Sequence, residues 1–164
     1  MTRQEFIAYI APYAIANHAN GDFFPSVIIA QACLESAYGT SELAENGKNL
    51  FGITAVNGWT GDTYTIGSYT YRAYPSWGDS ISDHRDFVQT ARYAATRAAT
   101  NYYDATVALQ ASGYAEDPLY GSKLRDIIEY YNLDNYDDDS PPNGEGYIKR
   151  VDIIVSVRKR RRRR

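Results

Sequence analysis

The stretch Pro25-Ser26-Val27-Ile28-Ile29-Ala30-Gln31-Ala32-Cys33-Leu34-Glu35-Ser36-Ala37-Tyr38-Gly39 decides the fold. Pro25 and Ser26 suit the opening of a helix, since proline lacks only an N–H that the first turn leaves unused, and Gly39 suits its close. The predicted helix, Val27 to Tyr38, is apolar almost all round, so other elements must surround it. With 164 residues, 44% of them hydrophobic, the chain is long enough for one such core and too short for two ordinary domains.

The partners of that helix can be read outward from it. Upstream, Thr2 and Glu5 form a capping-box pattern ahead of Phe6, Ile7, Ile10 and Ala14, which predicts an amphipathic helix ending near Gly21, bent or interrupted at Pro12. Downstream, Ser41 to Glu45 reads as a short helical piece, followed by the run Asn49-Leu50-Phe51-Gly52-Ile53. Between Trp59 and Tyr74 the period changes to alternation about Gly67-Ser68, which predicts a small hairpin. A helical stripe then returns through Ile81, His84, Phe87, Val88 and Ala91, with Ser76 or Asp79 as cap. Further helices are expected over Tyr102 to Ala111 and, with Asp117 and Pro118 as N-cap and N1, through Leu124, Ile127, Ile128 and Tyr131. The fold class is mainly α (α+β), a helical domain with a small β-hairpin lobe.

Composition excludes several functions. One cysteine, Cys33, rules out a disulfide framework, and with only His18 and His84 no Cys/His set is spaced for zinc. No metal site and no cofactor are expected. No apolar run is long enough to span a bilayer, and the first twenty residues lack a signal-peptide pattern. Sixteen tyrosines against five phenylalanines suggest a wet groove for a polar polymer. Charge is split: residues 147–164 carry +8 and residues 1–146 carry −11. Such a body is not a nucleic-acid-binding domain, whose cations would sit on folded elements. The run Arg158 to Arg164 reads either as a solvated tail or as an electrostatic tether to an anionic polymer. The expected organisation is a domain over residues 1–136, an acidic Pro/Gly linker over 137–146, and a possible strand with the arginine tail over 147–164. An EF-hand reading of Asp134 to Glu145 fails, since Asp139 stands where glycine is needed.

Glu35 carries the chemistry. At the end of an apolar helix its carboxylate emerges into a partly desolvated wall near the negative end of the helix dipole, and both effects favour the protonated acid. A carboxyl protonated near neutral pH is what a general acid needs. The same residue can equally be a helix-end glutamate bonded to an amide or an arginine. Asp62 is the lone carboxylate between Leu50 and Ser76, near the hairpin, and reads as a groove carboxylate or as a turn residue after Gly61. Tyr114, in an interhelical loop, either orients water or sugar or simply packs.

Ala30-Gln31-Ala32-Cys33-Leu34-Glu35-Ser36-Ala37-Tyr38-Gly39 followed by Asn49-Leu50-Phe51-Gly52-Ile53 resembles the endo-β-N-acetylglucosaminidase family of peptidoglycan hydrolases. The resemblance continues through Tyr71-Arg72-Ala73-Tyr74-Pro75-Ser76, Ser80 to His84 and Gly113-Tyr114-Ala115-Glu116-Asp117-Pro118-Leu119-Tyr120, covering about Phe6 to Leu133 in order and spacing. It implies a lysozyme-like fold, a groove for bacterial peptidoglycan glycan strands, and Glu35 as general acid. Tyr38, Asn49, Phe51 and Tyr120 then become substrate-binding candidates, and Tyr114 falls on the family's catalytic-loop tyrosine. One departure stands out: members commonly carry a second glutamate on a longer hairpin, and Asp62 to Tyr74 contains none. Asp62 is the nearest substitute.

The function expected is hydrolysis of the β-1,4 bond after N-acetylglucosamine, by an inverting or a substrate-assisted route. The alternatives are a lytic transglycosylase forming anhydro-muramic ends and a non-catalytic wall-binding or phage structural module. The site of action is the bacterial cell wall, reached by phage delivery, by holin release or as an excised domain, and the active form is expected to be a monomer. Removing residues 147–164 should leave turnover of soluble glycan fragments unchanged while weakening adsorption to whole walls at low salt. Lost turnover of soluble fragments would place the tail in the catalytic unit.

Overall fold

The computed structural model describes residues 1–138 apart from residue 57; the expected terminal strand, the arginine tail and nearly all of the linker lie outside the described residues. Seven helices and one two-stranded antiparallel sheet make up the described part, a mainly α architecture with a hairpin lobe. Helix α1, Arg3–Ala19, opens on the capping box, with the Glu5 amide donating to Thr2 Oγ1 at 3.2 Å and the Thr2 amide donating to Glu5 Oε2 at 2.7 Å. It runs unbroken through Pro12, contrary to the expected interruption. A proline within a helix costs about 3 kcal/mol through its missing N–H and ring clash. Buried Phe6, Ile7, Ile10, Ala11 and Ala14 on both sides of it offset that cost.

Helix α2, Pro25–Glu35, is the buried centre: every residue from Pro25 to Cys33 is inside. It packs on α1, on α7 (Tyr120–Tyr131), on α6 (Tyr102–Ala111) and on the 3-10 turn Leu133–Tyr136. It stops three residues short of the expected end. Ser36 is the C-cap; its hydroxyl donates to the Ala32 carbonyl and accepts from the Gly39 amide at 2.7 Å. This side-chain competition with the backbone ends the helix. Ala37, Tyr38 and Gly39 then all take left-handed conformations, with φ of 50°, 59° and 79°. A Cβ at Gly39 would stand 2.7 Å from Phe6 Cε2, so both the backbone and the packing require glycine there.

The short helix α3, Glu42–Asn46, is capped by Ser41. Strands β1, Thr63–Ile66, and β2, Tyr69–Arg72, pair with Thr63 opposite Arg72 and Ile66 opposite Tyr69. Helix α4, Trp77–Phe87, has Ser76 as N-cap, accepting from the Asp79 amide at 3.2 Å. The stripe expected to reach Ala91 stops at Phe87, and a 3-10 turn, Ala91–Tyr93, with α5, Ala94–Arg97, follows. Arg97 ties this corner together by donating to the carbonyls of Val88 and Thr90. The last helix also starts later than expected, because Asp117 makes its own turn: its carboxylate accepts from the Leu119 amide at 2.9 Å and pairs with Lys123.

Between α1 and α4 lies a buried hydrogen-bonded pair, Asp22 Oδ2 and His84 Nδ1 at 3.1 Å. Burial alone would raise the Asp22 carboxyl, but His84 and the amides of Phe23 and Asn17 outweigh it and hold the group below the ordinary carboxylate range. His84 is a core histidine and His18 a surface-side one bonded to the Phe23 carbonyl, and Cys33 is a buried thiol pushed far from reactivity.

Asp137, expected as the first linker residue, docks on the start of α2, its carboxylate accepting from the Ser26 amide at 2.7 Å and the Ser26 hydroxyl at 2.6 Å. Phe24, the N-cap residue of α2, supplies no side-chain acceptor, so a residue 111 positions away takes that role. Asp137→Ala should therefore destabilise the domain by about 1 kcal/mol, the usual worth of an N-cap, in denaturant unfolding. A chain cut after Tyr136 should show the same loss and one cut after Asp138 should not; equal stability of the two truncations would remove Asp137 from the fold.

Candidate active site

The early end of α2 delivers Glu35 to the wall of a cleft of about 740 Å³. Ser41, Glu42 and Leu43 continue that wall; Phe51 to Thr54, Ile66 and Tyr71 of the hairpin, and Phe87, Arg92, Tyr93, Tyr114 and Ala115 complete the lining. Glu35 as a residue is reached by solvent, yet desolvation by the protein around its carboxyl raises it above the ordinary carboxylate value. A hydrogen bond from the Tyr120 hydroxyl opposes the rise. Gln31, fully buried two turns or so inside α2, donates from Nε2 to the Tyr120 oxygen at 3.2 Å. With that oxygen occupied as acceptor, the phenol proton is left to point at Glu35.

Tyr114 lines the cleft, and its ring stacks on Tyr120 with centroids 5.6 Å apart. Burial, and next the negative charge of Glu35, push its hydroxyl well above the ordinary phenol value, so it is a neutral donor at any working pH. The loop that carries it is clamped by Arg92, which donates from Nε to the Ser112 carbonyl at 2.8 Å and from Nη2 to the Gly113 carbonyl. Gly113 takes a left-handed φ of 68° at this turn. Phe51 forms an apolar part of the lining and leans on the His84 ring, with centroids 4.2 Å apart.

Of the residues singled out from sequence, Glu35, Tyr114 and Phe51 line the cleft, and Tyr120 stands behind it. The other three sit elsewhere. Asn49 is buried and organises its own turn, donating to the carbonyls of Ile53 and Arg72 at 2.9 Å each and accepting from the amides of Phe51 and Ile53. Tyr38 packs between Phe6 and Tyr131, with Arg3 over its ring at 4.6 Å. Asp62 lines a separate groove with Trp59, Tyr74 and Asp83, where its carbonyl accepts from the Trp59 indole at 2.9 Å. Sequence reasoning passed over Gln31, Glu42 and Arg92. Gln31 did carry a signal, as the one polar residue in the apolar run from Val27 to Leu34. Among the described residues no group of three or more His, Cys, Asp or Glu is gathered to hold a metal ion, and no helix is long and apolar enough to cross a membrane.

The glucosaminidase family model, described as mannosyl-glycoprotein endo-β-N-acetylglucosaminidase, matches residues 11–133. The exo-glucosaminidase LytG of Bacillus subtilis (strain 168) is 34% identical, over 95% of this chain and 59% of its own length. A probable N-acetylmuramidase of Lactococcus lactis subsp. cremoris is 38% identical, over 73% of this chain and 31% of its own. The chain thus spans less than two thirds of either relative. Among solved structures, the catalytic domain of the autolysin Auto from Listeria monocytogenes superposes with a TM-score of 0.71 at 33% identity, covering 82% of this chain and 87% of that one. The matched segment contains α2 from end to end, the whole cleft lining and the Tyr114 loop, and on that footing the chain belongs to the glucosaminidase family.

Proposed function

We propose that this chain is a peptidoglycan hydrolase that cleaves the β-1,4 bond after N-acetylglucosamine, with Glu35 as the general acid. The observation that carries the reading is a carboxyl raised by desolvation on the wall of an open cleft lined by aromatic rings. Glycoside cleavage passes through an oxocarbenium-like transition state in which the leaving oxygen needs a proton, and a carboxyl raised above its ordinary value is better able to carry one there. Tyr114, neutral and facing the same space, offers a hydrogen bond to the sugar. Tyr71, half-buried on the cleft wall, offers a ring to its apolar side, and the buried Phe51 backs that wall. One relative is named an exo-glucosaminidase and another an N-acetylmuramidase, so the bond is the point to test.

Mass spectrometry of digested peptidoglycan, with and without borohydride reduction, tests bond and reaction together. Products ending in reducible N-acetylglucosamine are expected; reducible muramic ends would make the chain a muramidase, and anhydro-muramic ends a transglycosylase. Glu35→Gln should keep the thermal transition and lower turnover by about 100-fold or more, the usual worth of a general acid. Wild-type turnover by that variant overturns the assignment.

Tyr120→Phe tests the environment of the acid. The Tyr120 hydrogen bond favours the ionised carboxylate, so its removal raises the Glu35 carboxyl further, and the acid stays protonated to higher pH. The alkaline limb of the kcat/KM profile should shift upward in pH. An unmoved limb would show that Tyr120 only packs.

A further inference from the structure

An acid alone does not complete hydrolysis; some group must also deal with the incoming water. The shortened hairpin carries no glutamate, and Asp62 lies in another groove. We propose that Glu42, the first residue of α3, is the second catalytic carboxylate, the base that activates the attacking water; the inference rests on Glu35 being the acid.

The placement of Glu42 supports this role on three counts. Among the described residues lining the cleft, Glu35 and Glu42 are the two carboxylates. Glu42 is held in place although it is exposed, because the Tyr64 hydroxyl of strand β1 donates to its Oε1 at 3.1 Å. That phenol is directional: an Asn46 side chain hydrogen-bonds Tyr64 in the sense that favours its ionised oxygen, so the Tyr64 oxygen is the acceptor there and its proton is committed to Glu42. Such a bond fixes Oε1 and leaves Oε2 without a protein partner among the described residues. The hairpin thus supplies a tyrosine that grips a glutamate from the neighbouring helix.

The step balances without any further reagent. A water oxygen forms a bond to the anomeric carbon while Oε2 of Glu42 takes one of its protons. The bond from the anomeric carbon to the glycosidic oxygen breaks, its electron pair stays on that oxygen, and Glu35 protonates it. Exchange with solvent moves the proton from Glu42 back to Glu35. Displacement from the face opposite the leaving group turns a β-linked sugar into an α product.

Three readouts on purified peptidoglycan test this. Glu42→Gln can still accept from Tyr64, so its thermal transition and KM should stay near wild type while kcat falls by about 100-fold or more. The acid limb of its kcat/KM profile should flatten, since the ionising base is gone. Proton NMR of the fresh wild-type product should show the α anomer, and Glu42→Ala with sodium azide should regain turnover and release an α-glycosyl azide. A β product, which points to the substrate's own acetamido group, a Glu42→Gln variant within threefold of wild type, or no azide adduct would each overturn the assignment. Because Glu35→Gln is assayed in parallel, an inactive Glu35 variant beside an active Glu42 variant removes only this inference, whereas an active Glu35 variant removes the reading beneath it.

Discussion

Helix α2 has no face to give to solvent, and most of the molecule follows from that. Burying a Val or Ile side chain stabilises by about 1.5–3 kcal/mol, so the run from Val27 to Ile29 rewards any arrangement that encloses it. The enclosure is built from α1, α6, α7 and the terminal 3-10 turn. The same constraint makes its two ends critical, because a fully enclosed helix still has to satisfy its terminal amides and carbonyls. At the front, Asp137 returns from the far end of the domain to bind Ser26. At the back, Ser36 ends the helix early and turns the chain left-handed through Gly39. Glu35 is the last helical residue before that turn, so a carboxyl reaches the cleft wall where the core ends.

Around that exit the structure works with neutral dipoles rather than countercharges. A lysine or arginine paired with Glu35 would lower its carboxyl and spoil an acid; a phenol donates one hydrogen bond and leaves desolvation in control of the sign. Gln31 fixes the phenol's direction from within the core. Arg92, the cation that does line the cleft, spends its guanidinium on the carbonyls of Ser112 and Gly113, where it holds the Tyr114 loop. The wealth of tyrosine therefore has a second meaning beside a wet groove. Tyr93 and Tyr120 are buried, which raises both hydroxyls and Tyr120 most, Tyr74 donates to Asp83 at 2.7 Å, and Tyr38 packs away from the cleft.

Local chemistry made much of this legible and side-chain direction did not. The capping box at Thr2, the hairpin about Gly67-Ser68, the Ser76 cap and the bounds of α6 follow from short-range rules that the structure obeys. Gly39 misled because Ser36 had already ended the helix, and α1 runs on through Pro12 because its burial overrides a local preference. Asn49 shows why a recognisable motif does not identify a contact: its side chain is spent on its own turn and on the Arg72 carbonyl of β2. Glu42 looks like any acidic residue in a first helical turn, and nothing local to it foretells that Tyr64, 22 positions on, will hold it.

The hairpin is small, and the contacts at its base show how it is held. Each strand is only four residues long, and the sheet has two strands, too few to hold a catalytic side chain rigidly by themselves. The pair is steadied from outside: Thr54 bridges to Tyr71, the Arg72 amide donates to the Ile53 carbonyl, and Arg72 pairs with Asp83 of α4 at 2.8 Å. With its base tied to the 51–54 run and to α4, the hairpin can present a tyrosine hydroxyl at a fixed point against α3. A carboxylate borne by α3 needs less reach from the hairpin than one borne at its tip. The hairpin and α3 thus meet at one hydrogen bond, Tyr64 to Glu42, beside the cleft that Glu35 and Glu42 both line.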